Sequence, residues 1–137
     1  MSAALFEAVR KRANFRCEYC QFEQQYEQLT FHIDHIVARK HRGGTTIDNL
    51  ALACASCSLA KGPNIAGHDP LTRRLTRLFN PRLDSWSKHF RWRRSRLHGL
   101  TPIGRATVIV LNINDPRRVA ARELLRMKKQ FPPASNL

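Results

Sequence analysis

With 137 residues the chain can bury one modest core, so one compact domain with an appended arm is expected and two full domains are not. The net charge of +14 is uneven: residues 1–70 carry 8 Lys/Arg against 7 Asp/Glu, residues 71–137 carry 16 against 3, and most of those 16 are Arg, whose planar fork suits phosphate. An anionic polymer is therefore the predicted partner, while the lack of an apolar run near ~20 residues and of a signal-peptide pattern predicts a cytoplasmic chain that does not span a membrane.

Ser2 is placed to cap a helix through "AALFEAVRKRA", with Leu5, Phe6, Val9 and Ala13 on or near one face and basic residues in its last turn, where the macrodipole favours them. "CEYC" is a knuckle followed by a polar Gln/Glu-rich loop. In "LTFHIDHIV" the alternation puts Phe31, Ile33 and His35 on one side and His32, Asp34 and Ile36 on the other, which predicts a short strand. "ARKHRGGTT" reads as a basic loop, "NLALAC" as the returning strand, and "ASCSLAK" as a short helix stopped by Gly62 and Pro63.

After Pro70 turn signals mix with aromatic and basic residues, and "HFRWR" is compatible with a strand. "GRATVIVLNI" is ambiguous, because its β-branched residues favour a strand whereas its start after "TP" suits a buried helix; the helix is preferred. "NDPRRVAARELLRMKKQF" predicts a helix capped by Asp115 with Pro116 at its first position. Ala120, Leu124, Met127 and Phe131 would dock it on the core, leaving Arg118, Arg122, Arg126 and Lys129 as an outward basic ridge. The tail "PPASNL" is expected to fray.

Cys17-x-x-Cys20 and Cys54-x-x-Cys57 suit one tetrahedral Zn²⁺ with four thiolates, a closed site that holds the fold and does no chemistry. A redox dithiol is the lesser reading. Asp34 is a hard oxygen ligand suited to Mg²⁺ or Mn²⁺, and a neutral His35 can take a proton from water.

The succession of Asp34-His35, "RGG", Asn49, Cys-x-x-Cys and "KG" resembles the HNH endonuclease family over roughly residues 10–65. "FNPRLDSWSKHFRW" and "GLTPIGRATV" resemble the C-terminal part of small bacterial HNH proteins. The resemblance implies an α+β fold: a ββα-metal core over 1–70 and a basic, α-rich extension over 71–137 packed on it.

It also implies a phosphodiesterase that acts on DNA; the charge fits RNA as well, and with no strong dimer signature in the sequence a monomer or weak dimer is expected. His35 would be the general base, Asp34 the ligand of the catalytic ion, and Asn49 the brace of the loop that orients His35. Lys61 matches a Lys after the second knuckle that could touch phosphate. Arg39, Lys40, Arg42, Arg91, Arg93, Arg94, Arg118 and Arg122 complete the expected nucleic-acid contacts. His32 is read as a polar strand residue or phosphate contact, with a role in the metal site as the alternative. Trp86, Phe90 and Trp92 are read as a small core, with base stacking as the alternative.

The chain departs from the family pattern at Ser58, where Asn or His usually supplies the second protein ligand of the catalytic ion, and at Ala60, where small HNH proteins often carry His. Two readings follow: a working nuclease in which Ser58 is at best a weak metal contact, and an impaired module that still binds nucleic acid.

Overall fold

A computed structural model describes residues 2–134. Helix α1 (Ala3–Arg12) begins where Ser2 Oγ accepts a hydrogen bond from the Leu5 amide at 3.1 Å, and it ends on Arg10, Lys11 and Arg12. Its Val9 is wholly buried. The first knuckle follows, tied by the Cys17 amide to the Phe22 carbonyl and by an antiparallel bridge between Arg16 and Glu23.

Strands β1 (His32–His35) and β2 (Leu50–Ala53) form an antiparallel pair in which Asp34 stands opposite Ala51 and His35 opposite Leu50. All four β2 residues are buried, as a run of small and aliphatic side chains between two layers requires. Helix α2 (Ala55–Lys61) starts on Cys54, whose Sγ accepts from the Cys57 amide, and stops at Gly62, whose φ of 50° ends the helix. This is the expected strand, loop, strand and helix.

The second half adds β3 (Ala66–His68) with β4 (Leu75–Arg77), α3 (Trp86–His89), β5 (Phe90–Arg93) with β6 (Arg96–Gly99), α4 (Pro102–Val110) and α5 (Pro116–Met127). The ambiguous segment is the helix α4, capped by Thr101, with Ala106 and Thr107 buried. Gly104 lies against the His89 carbonyl, where any Cβ would collide, so the sequence there admits only glycine. One continuous apolar core runs from Val9 and the four cysteines to Phe90, Leu97 and Ile113.

Contacts between the halves are specific. Trp86 Nε1 donates to the Tyr19 carbonyl at 2.8 Å, Trp92 Nε1 donates to Gln21 Oε1 at 3.0 Å, and Arg82 pairs with Glu18. Trp86, Phe90 and Trp92 stack on one another with centroids 5.1 to 6.0 Å apart, so these aromatics build the core between the halves.

Helix α5 reverses the expected orientation. Leu124 and Met127 are 64% and 72% exposed, whereas Arg122 is 1% exposed; of the predicted docking residues, Phe131 is buried. Arg122 Nε donates to the Ser95 carbonyl and Nη2 to the Ile113 carbonyl, both at 2.9 Å, while its guanidinium stacks 5.1 Å from the centre of Trp92. A buried guanidinium is tolerated when its donors are satisfied, and here backbone carbonyls and an aromatic face satisfy them. Arg118 also turns inward, so neither residue stands on the outward ridge that the helical periodicity suggested.

No helix among the described residues is long and apolar enough to cross a membrane. The tail expected to fray falls partly beyond them, at 135–137; within them the Ala134 carbonyl accepts from Arg16.

Candidate metal centre and catalytic cleft

The chain has two candidate centres whose residues interleave in sequence. In the first, the sulfurs of Cys17, Cys20, Cys54 and Cys57 lie within 4.8 Å of one another, and all four residues are buried. Cys20 Sγ and Cys54 Sγ stand 3.7 Å apart, against about 3.8 Å for two thiolates of a tetrahedral ion with ~2.3 Å Zn–S bonds. Burial pushes the thiols of Cys17 and Cys57 well above their ordinary range, a penalty that a bound dication reverses. The residues therefore fit a structural zinc.

Four thiolates around Zn²⁺ leave a net charge of −2, and Arg118 faces it. Its Nη2 donates to Cys57 Sγ at 2.9 Å and lies 3.9 Å from Cys54 Sγ, while Nη1 donates to the Leu111 and Asn112 carbonyls. Burial alone would make its guanidinium easier to deprotonate, but the negative sulfurs outweigh that and push its pKa up. The inward turn of α5 therefore has an electrostatic rationale: a cation from the second half faces the four sulfurs of the first, where it would offset the charge of a zinc–thiolate cluster.

The second centre opens at the end of β1. Asp34 and His35 line a cleft with Ala38, Arg39, Lys40 and Ser58, closed below by Gly62 and Pro63. Asp34 Oδ1 accepts from Ser58 Oγ at 3.0 Å, and the same hydroxyl lies 3.1 Å from His32 Nδ1. His35 Nε2 lies 2.8 Å from Thr45 Oγ1. Asp34 with the adjoining hydroxyl and imidazole is an O/N donor set that a hard or borderline divalent cation accepts.

Asn49 closes the loop between the strands. Its Oδ1 accepts from the Val37 amide at 2.9 Å, and its Nδ2 donates to the carbonyls of Val37 and Gly44 at 3.0 and 2.9 Å. Gly43 packs so tightly against the Val37 carbonyl that no Cβ fits. The loop thus clamped carries Thr45 to His35, an arrangement that "GGTT" does not reveal, because a threonine ten residues from its partner leaves no periodic signal.

Lys61 differs from its expected role. It is 2% exposed, and its Nζ donates to the carbonyls of Ile36 and His35 at 3.0 and 3.4 Å. Burial lowers its pKa, opposed by the charge of Asp34. Its ammonium fastens the backbone at the end of β1, so it is spent on structure rather than presented on the surface. Arg39, Lys40 and Arg42 are exposed beside the cleft, and Arg91, Arg93 and Arg94 are exposed on the β5–β6 hairpin.

Residues 17–64 match the family described as HNH endonuclease. Over 120 residues, 86% of its length, the chain is 24% identical to the Septu protein PtuB of Bacillus thuringiensis. It spans 44% of that protein's length. No solved structure matches it.

Proposed function

We propose that this chain, which carries an HNH endonuclease domain over residues 17–64, hydrolyses phosphodiester bonds of DNA with a divalent ion at Asp34 and His35 as general base. The observation that carries the reading is that Asp34 and His35 open into one cleft flanked by Arg39 and Lys40. When bound, Mg²⁺ or Mn²⁺ neutralises charge on the scissile phosphate and the leaving 3′ oxygen.

The protein's own groups set the rest. With Nε2 of His35 held by Thr45, a proton on Nε2 leaves the Nδ1 lone pair to accept one from water. Asn49 holds the loop that brings Thr45 there, and Lys61 holds the strand end. In-line attack by that water yields 5′-phosphate and 3′-hydroxyl ends. One such site, on a core over 1–70 with an extension over 71–137, makes a nick; cutting both strands would take a dimer or two separate events.

The test is supercoiled plasmid at low salt with zinc-loaded protein and rising Mg²⁺ or Mn²⁺. Metal-dependent conversion to the open circle supports the reading. The second reading, an impaired module that binds nucleic acid, is favoured by the Ser58 hydroxyl where a stronger ligand would serve better; a gel shift without nicking would establish it.

Two further outcomes follow. Thr45→Val should lower kcat about tenfold with KM unchanged, part of the roughly 10²–10⁴ that a positioned base supplies; an unaltered kcat would remove Thr45 from the machinery. Replacing Arg91, Arg93 and Arg94 by Gln should flatten the salt dependence of DNA affinity by about 0.9 in log–log slope per lost phosphate contact, measured by fluorescence anisotropy. An unchanged slope would place the DNA elsewhere.

A further inference from the structure

The nuclease reading leaves His32 unassigned. It stands two residues before Asp34 on β1, so the pleat directs both side chains to one face, and both meet the hydroxyl of Ser58. The shared hydroxyl holds His32 Nδ1 and Asp34 Oδ1 within about 6 Å of each other. His35, which lines the same cleft as Asp34, is engaged by Thr45.

The single proton of Ser58 decides the state of the ring. A carboxylate only accepts, so that proton goes to Asp34, and toward His32 the hydroxyl is left as an acceptor. His32 Nδ1 must then carry hydrogen, and in that tautomer the lone pair lies on Nε2. An imidazole with one nitrogen anchored by a hydrogen bond and the other unprotonated is in the state in which histidines ligate metals. His32 is exposed, so its Nε2 edge is open to solvent while Nδ1 is held. Ser58, by contrast, has its proton and a lone pair already engaged.

We propose that His32 supplies the second protein ligand of the divalent ion held by Asp34, and that Ser58 is a positioning residue that fixes the tautomer of His32 rather than a ligand. The inference rests on the nuclease reading for the presence of that ion. It assigns to the strand the ligand that α2 lacks at Ser58. A mixed nitrogen and oxygen site selects Mn²⁺ over Mg²⁺, because Mg²⁺ prefers an all-oxygen octahedron.

The experiment titrates Mn²⁺ alone into zinc-loaded full-length protein, followed by electron paramagnetic resonance, with electron spin-echo modulation reporting directly bound nitrogen. The native chain and His35→Ala should show one imidazole nitrogen on Mn²⁺. His32→Ala should lose it and bind at least about tenfold more weakly, while Ser58→Ala should weaken binding about tenfold and keep the nitrogen. His32→Asp should restore affinity and shift preference toward Mg²⁺.

A nitrogen signal that survives in His32→Ala, or unchanged Mn²⁺ affinity in that variant, overturns the assignment and leaves the nuclease reading standing. A native chain that binds no Mn²⁺ overturns both.

Discussion

Chelating the ion held by Cys17, Cys20, Cys54 and Cys57 is expected to unfold the whole chain in one transition. The cysteines are part of the same continuous core as Phe90, Leu97 and Ile113, so the second half has no separate interior to fall back on. Structural zinc contributes on the order of 10 kcal/mol to folding, and domains of this kind are stable by about 5–15 kcal/mol, so losing the ion takes most or all of the margin. Far-UV circular dichroism during titration with a strong chelator checks this; a native spectrum with zinc fully removed would refute it.

The same logic reaches α5. Arg118→Met leaves the thiolate cluster without its facing cation, and breaking a buried ion pair from one side costs about 3 kcal/mol. The variant should melt earlier and surrender zinc faster to a chromogenic chelator. Arg118→Lys should recover only part, since a point charge cannot bond the sulfur and two carbonyls in the same geometry.

His35→Ala should lower metal-dependent cleavage by about 10²–10⁴ while leaving Mn²⁺ affinity intact, because in the proposed reading the imidazole acts on water and not on the ion. Asp34→Ala should lose ion binding and cleavage together. The pair separates the two roles: equal loss of metal in both variants would mean that His35 is a ligand, and unimpaired cleavage in His35→Ala would remove it as base. Both residues lie at the partly exposed end of β1, so neither variant should disturb the core. The alternative module predicts no cleavage in any of the three proteins, with gel shifts unaffected.

Much of the core domain is legible in the sequence because its signals are local. The pleat of "HIDH", the two Cys-x-x-Cys turns, the Ser2 cap and the Gly62 stop each depend on residues a few positions apart, and all appear in the structure as read. The succession from Asp34 to Lys61 likewise pointed to the HNH family, which the match over residues 17–64 bears out.

Only the tertiary structure decided which way α5 faces, what Lys61 does and what His32 touches. Periodicity turned the apolar stripe of α5 inward, because apolar burial ordinarily sets a helix's orientation. Here the opposing terms are polar: buried sulfurs more than 60 residues away in sequence draw in Arg118, and Arg122 is held by the Ser95 and Ile113 carbonyls, contacts that no pattern of side chains encodes. Lys61 is drawn in the same way by the carbonyls behind β1. The chain by itself determined where β1, β2, the knuckle turns and the thiolates would lie, since these follow from backbone sterics and short spacing, whereas the short strands β3, β4 and β6 carried no such signal. The fold alone determined which charges are spent on structure and which remain for a ligand, because burial and the sum of distant charges exist only once the chain has closed on itself.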